Sequence, residues 1–107
     1  MNDEQTKALL NLQKLREAGV LTEEEFLANS CKLEHHDKDW EGVLQSCAGL
    51  LKFEPNNAAG HFRLGEGYLR LSKFDEAVQH LEKATELDPK QEGLDELLTA
   101  AKEERVP

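Results

Sequence analysis

Phe74-Asp75-Glu76-Ala77-Val78, running on through Leu87-Asp88-Pro89, restates Trp40-Glu41-Gly42-Val43-Leu44 through Phe53-Glu54-Pro55 at an offset of 34 residues. In that frame Trp40 falls on Phe74, Glu41 on Asp75, Val43 on Ala77, Leu44 on Val78 and Leu50 on Ala84. Apolar residues recur inside each phrase at helical spacing. Pro55 and Pro89 close them, because proline lacks the N–H that a continuing helix needs. Self-similarity at such a period marks stacked helical units, each burying an apolar face on its neighbour.

Working outward, four more helices follow from the same periodicity. Residues 5–18 carry Ala8, Leu9, Leu12 and Leu15 among charged neighbours, and Gly19 caps them. Thr22-Glu23-Glu24-Glu25 is a capping box for a second helix holding Phe26, Leu27, Ser30, Cys31 and Leu33. Pro55-Asn56-Asn57 starts a fourth helix over about 58–71, and Ser72 reads as the N-cap of the fifth. Leu94, Leu97, Leu98 and Ala101 form the apolar side of a sixth, and Arg105-Val106-Pro107 is expected to fray. The expected fold is all-α, a right-handed stack of about six antiparallel helices.

Composition narrows the function. The chain has 107 residues, 38% of them hydrophobic and 33% charged, and contains no isoleucine, which disfavours a sheet. A net charge of −9 repels phosphate, so neither nucleic acid nor an anionic membrane surface is an expected partner. No segment is long and apolar enough for membrane insertion. The acidic N-terminus, Met1 to Gln5, lacks a signal-peptide layout, and a cytoplasmic location is expected. Cys31 and Cys47 read as two reduced core thiols, with a disulfide or a reactive thiol as the alternative.

Residues 58–91 resemble the tetratricopeptide repeat (TPR) family. Leu64-Gly65-x-x-Tyr68 matches its L-G-x-x-Y segment, and Ala77, Leu81, Ala84 and Pro89 follow at family spacing. Leu81 stands where phenylalanine is usual, and His61 where tryptophan is common. Gly65 and Ala77 are small because two helices cross closely there. The earlier frame matches only in its second helix, since Ser30, Cys31 and Glu34 replace the expected leucine, glycine and tyrosine. One complete repeat cannot bury its own face, so the other helices must cap it.

Residues 5–34 resemble the short C-terminal (SHOCT) domain, through the leucine helix, the Ala18-Gly19 turn, Leu21-Thr22-Glu23-Glu24-Glu25-Phe26 and the closing Lys32-Leu33. That hairpin usually ends a chain, and its implied role is oligomerisation or protein binding. Residues 1–36 are therefore read as a SHOCT-like hairpin whose second helix doubles as the first helix of a degenerate repeat. Residues 37–107 are read as a TPR-like unit with a C-terminal capping helix.

The TPR resemblance implies a non-catalytic module binding a partner protein or peptide, as an adaptor, a scaffold or in a co-chaperone-like role. Self-association into a homo-oligomer through the hairpin is the alternative. The family's groove positions map to Phe62, Glu66, Leu69 and Arg70, with Ala59, and earlier to Lys32, His35 and His36, with Ala28. Phe62 and Leu69 would be apolar anchors, and Lys32 and Arg70 would meet a carboxylate. The competing reading packs Phe62 and Leu69 on the second or sixth helix. The lysine and asparagine pattern by which some members clamp chaperone tails is absent. Its positions hold Phe62, Arg63, Glu66, Ala28 and Asn29.

No enzyme and no cofactor are expected, since no glycine-rich loop or strand framework holds a nucleophile. Cys31 and His35 sit four apart near His36 and Asp37, but no paired C-x-x-C or H-x-x-x-H supplies further metal ligands.

Overall fold

The computed structural model describes residues 3–19, 21–32 and 40–107. In these residues the chain forms α1 (Asp3–Glu17), α2 (Glu23–Lys32), α3 (Trp40–Phe53), α4 (Ala58–Arg70), α5 (Phe74–Leu87) and α6 (Leu94–Lys102). No strand occurs among them. Each helix packs on the next, and α4 also touches α2 and α6. Alternate helices thus lie side by side, as a stack of helix pairs requires. The fold is the all-helical, TPR-like stack expected from the 34-residue period.

Local chemistry sets the helix ends. Thr22 and Glu25 form a reciprocal box: the Thr22 N–H donates to Glu25 Oε1 and the Glu25 N–H to Thr22 Oγ1, each at 3.1 Å. The Thr22 backbone bond, then the Thr22 side chain, hold the Glu25 carboxyl below its usual range. Asn57 caps α4 by accepting the Gly60 N–H at 2.8 Å. Gly19 takes φ +77°, a left-handed turn that costs glycine little.

Ser72 is not the N-cap of α5. It adopts φ 60°, and the Lys73 N–H reaches back to the Tyr68 carbonyl at 2.8 Å. This bond ties off the C-terminus of α4, so Ser72 belongs to that ending; Lys73 is the N-cap and makes no side-chain cap. Local sequence cannot separate the two, because serine suits a cap and a turn alike.

Two apolar clusters share α4. Cys31, Val43, Cys47, Leu50 and Leu64 join α2, α3 and α4, while Leu69, Ala77, Leu81, Ala84, Leu94 and Ala100 join α4, α5 and α6. Glycines let α4 approach both neighbours. A Cβ at Gly65 would meet Leu81 of α5 at 2.5 Å, and one at Gly67 would meet Leu44 of α3 at 2.9 Å. The small residue at position 65 thus seats a leucine, and Ala77 is buried in the same cluster.

Cys31 and Cys47 are joined by a disulfide that ties the end of α2 to α3. The reading of two reduced thiols is corrected. Two cysteines 16 residues apart on different helices carry no sign in sequence of whether they pair. Packing brings their Cα atoms to 4.9 Å, within bridging distance. Both residues are buried.

Packing places α1 against α2 alone. The Arg16 guanidinium lies 4.0 Å over the Phe26 ring and pairs with Glu23 at 3.4 Å. Arginine stems cover apolar surface in this way while the charge stays wet.

Candidate protein-binding groove

The expected groove residues on α4 divide into three environments. Phe62 is half-buried and packs against the cluster shared with α5 and α6. Leu69 is 0% exposed within that cluster. It therefore offers a partner no surface: of its two readings, packing against the sixth helix fits and the apolar anchor does not. Phe62 and Leu69 are seven residues apart and share one face of α4, which α5 and α6 cover more fully at Leu69.

Glu66 is already paired. Arg63 Nη1 donates to Glu66 Oε1 at 3.0 Å, with both side chains 17% exposed. Arg63 Nε also donates to the Cys31 carbonyl at 3.3 Å, so this pair bridges α4 to the C-terminal end of α2. A cation there meets carbonyls that have no helical partner of their own.

Arg70 closes α4 beside the other end of the stack. Its guanidinium lies 5.6 Å from the Trp40 ring, and Nη1 donates to the Pro107 carbonyl oxygen at 2.8 Å. Its Nε is buried without an acceptor. A cavity of about 500 Å³ opens beside it, lined by Asp95, Leu97, Ala100, Arg105 and Pro107 among others. The last residues do not fray as expected. The Arg105 N–H donates to the Ala100 carbonyl at 3.0 Å, and the chain returns to Arg70. Only tertiary packing places Arg70 there, so no local signal announced it.

Lys32 closes α2, and its side chain lies outside the described residues, as do His35 and His36. Asp37 lies outside them too, and Cys31 is engaged in the disulfide. Among the described residues no group of three or more His, Cys, Asp or Glu is placed to hold a metal ion.

A histidine pair joins the two helices of the repeat. His61 and His80 approach at 3.1 Å between their Nδ1 atoms. His61 Nε2 donates to the Pro55 carbonyl at 2.9 Å, which leaves its Nδ1 as the acceptor of the His80 Nδ1–H. His80 also stacks on Tyr68. Burial, then the neighbouring His61, lower the His80 pKa. The pair ties α4, α5 and the turn before α4 together.

Stacked helix pairs with a shared face of alternate helices define the class as a helical-repeat protein. Within that class, residues 58–91 match the family model described as the tetratricopeptide repeat. The matched stretch contains α4, α5 and the turn that follows, and the chain is similar to that family there. No helix among the described residues is long and apolar enough to cross a membrane.

Proposed function

We propose that this chain is a non-catalytic interaction module that receives a segment of another protein on the face shared by α2, α4 and α6. The observation that carries this is the side-by-side placement of those three helices, with Phe62 and the Arg70 guanidinium on the middle one. Phe62 supplies a flat apolar contact, and the Arg70 guanidinium supplies charge and a donor for a carbonyl or carboxylate that would take the place of the Pro107 oxygen. Lys32, His35 and His36 extend the same face in this reading. An adaptor or scaffold role follows, and the missing clamp pattern argues against chaperone tails. A cytoplasmic setting remains our reading.

Selection of a displayed peptide library on the full chain tests this. Enriched peptides should bind Phe62→Ala and Arg70→Gln at least about tenfold more weakly, as groove anchors do, while both variants keep the wild-type helical spectrum. Failure to enrich any peptide, or equal binding by both variants, would sink the proposal.

A second reading, self-association through the hairpin, is favoured by one observation. Leu10 is 50% exposed on α1, which packs on α2 alone. Light scattering decides it: a monomer at high concentration removes the homo-oligomer.

A further inference from the structure

We infer that the Cys31–Cys47 disulfide is a reversible latch that docks the α1–α2 hairpin on the repeat, and that its reduction releases the hairpin. Three observations converge. First, α1 touches no helix but α2, so the hairpin reaches the rest of the stack through α2 alone. Second, α2 is a helix of 10 residues, too short to persist without a partner. Third, α2 meets the stack through one patch, in which Leu27, Ala28 and Cys31 pack with Val43, Cys47, Leu50 and Leu64. Leu27 packs where a Cβ on Gly49 of α3 would stand 3.0 Å away, the Cys31 carbonyl accepts from Arg63 of α4, and the disulfide is the one covalent tie. Among these, only the disulfide responds to redox conditions.

The chemistry is thiol–disulfide exchange with a dithiol reductant. One thiolate of the reductant attacks a cysteine sulfur, the Sγ–Sγ bond breaks, and the other cysteine leaves as a thiolate and takes a proton. The second thiol of the reductant then resolves the mixed disulfide. Two electrons and two protons pass to the protein, and the reductant becomes a disulfide. A small-molecule disulfide reverses the sequence. Both sulfurs are buried, at 2% and 0% exposure for Cys31 and Cys47. Exchange therefore waits on local fluctuations that expose a sulfur, and the cut bond then lets the hairpin leave. Disulfides in a reducing compartment are characteristically transient or sensing, which suits a latch of this kind. Opening also moves the Cys31 carbonyl away from Arg63, the partner of Glu66; any effect on partner binding rests on the groove reading above.

Hydrogen exchange followed by mass spectrometry on the full chain, oxidised with glutathione disulfide or reduced with dithiothreitol, tests the latch without a binding partner. Reduction should speed exchange across residues 3–32 by about a hundredfold, the size set by loss of a cross-link closing a loop of this length. Exchange across α5, which takes no part in the cluster around the bond, should rise far less than across the hairpin. Cys31→Ser/Cys47→Ser should exchange like the reduced protein and ignore dithiothreitol. Free thiols after oxidation, equal exchange in both states, or an equal rise in α5 would overturn the latch. The wild-type comparison needs no variant to fold, and none of these outcomes depends on whether the groove binds a peptide.

Discussion

Leu81 of α5 occupies the space that a side chain at Gly65 of α4 would fill: a Cβ built there stands 2.5 Å from its Cγ and 3.3 Å from its backbone nitrogen. The first contact is with a side chain that could shift. The second is with backbone, and Leu81 is fully buried, so it has nowhere to shift. Two effects compete on Gly65→Ala. Helix propensity favours alanine by about 1 kcal/mol, while overpacking costs about 1–3 kcal/mol. Overpacking wins, and Gly65→Leu is worse. Thermal melting should show a loss, at about 4–8 °C per kcal/mol for a chain this size. Gly65→Ala with Leu81→Ala should lose less than the sum of the two single changes. Additive losses would mean that the two residues do not share this space.

Reducing the disulfide should lower stability. The bond spans a sequence separation of 16 residues, and cross-linking a loop of that length is worth about 3 kcal/mol, a loss that falls on docking of the hairpin before it reaches α5. Melting with and without dithiothreitol measures it. An unchanged midpoint would show that the bond constrains nothing in the unfolded ensemble.

Ser30 is buried, and its hydroxyl finds no partner in the structure. A buried unpaired hydroxyl costs about 1–3 kcal/mol of desolvation. Alanine removes the hydroxyl and leaves only a small gap. Ser30→Ala should therefore be neutral or stabilising by up to about 1 kcal/mol. Chemical denaturation checks this, and a loss would reveal a partner for the hydroxyl.

Acid should weaken the fold through His80. Its pKa is lowered from the ordinary 6.5 in the folded protein, so the unfolded chain takes the proton first. The contribution of the uncharged His80 ring is present above pH 6.5 and is lost as pH falls below it. His80→Gln should flatten the decline of the melting temperature between about pH 7 and 5. A decline of unchanged slope would place the titrating group elsewhere.

Much of this architecture could be read from residue patterns. The Thr22–Glu25 box, the Asn57 cap and the proline stops are short-range events, decided by hydrogen bonds within a few residues. The period linking Trp40 to Phe74 implied stacking because neither phrase can bury its apolar face alone. Groove residues were harder. Phe62 and Arg70 lie on α4 as read, yet Leu69 turned inward, because helical periodicity names a face and says nothing of how many neighbours crowd it.

Sequence alone settled that the chain is helical, where its helices begin and end to within a few residues, and that a repeat of 34 residues orders them. These properties arise from interactions between near neighbours. Tertiary structure alone decided that Cys31 meets Cys47, that His61 meets His80, and that the last residues return to Arg70. Each is a meeting between different helices, or between a helix and the chain end. It is governed by crossing distances that small residues such as Gly65 and Gly67 permit, and no spacing along the chain encodes them.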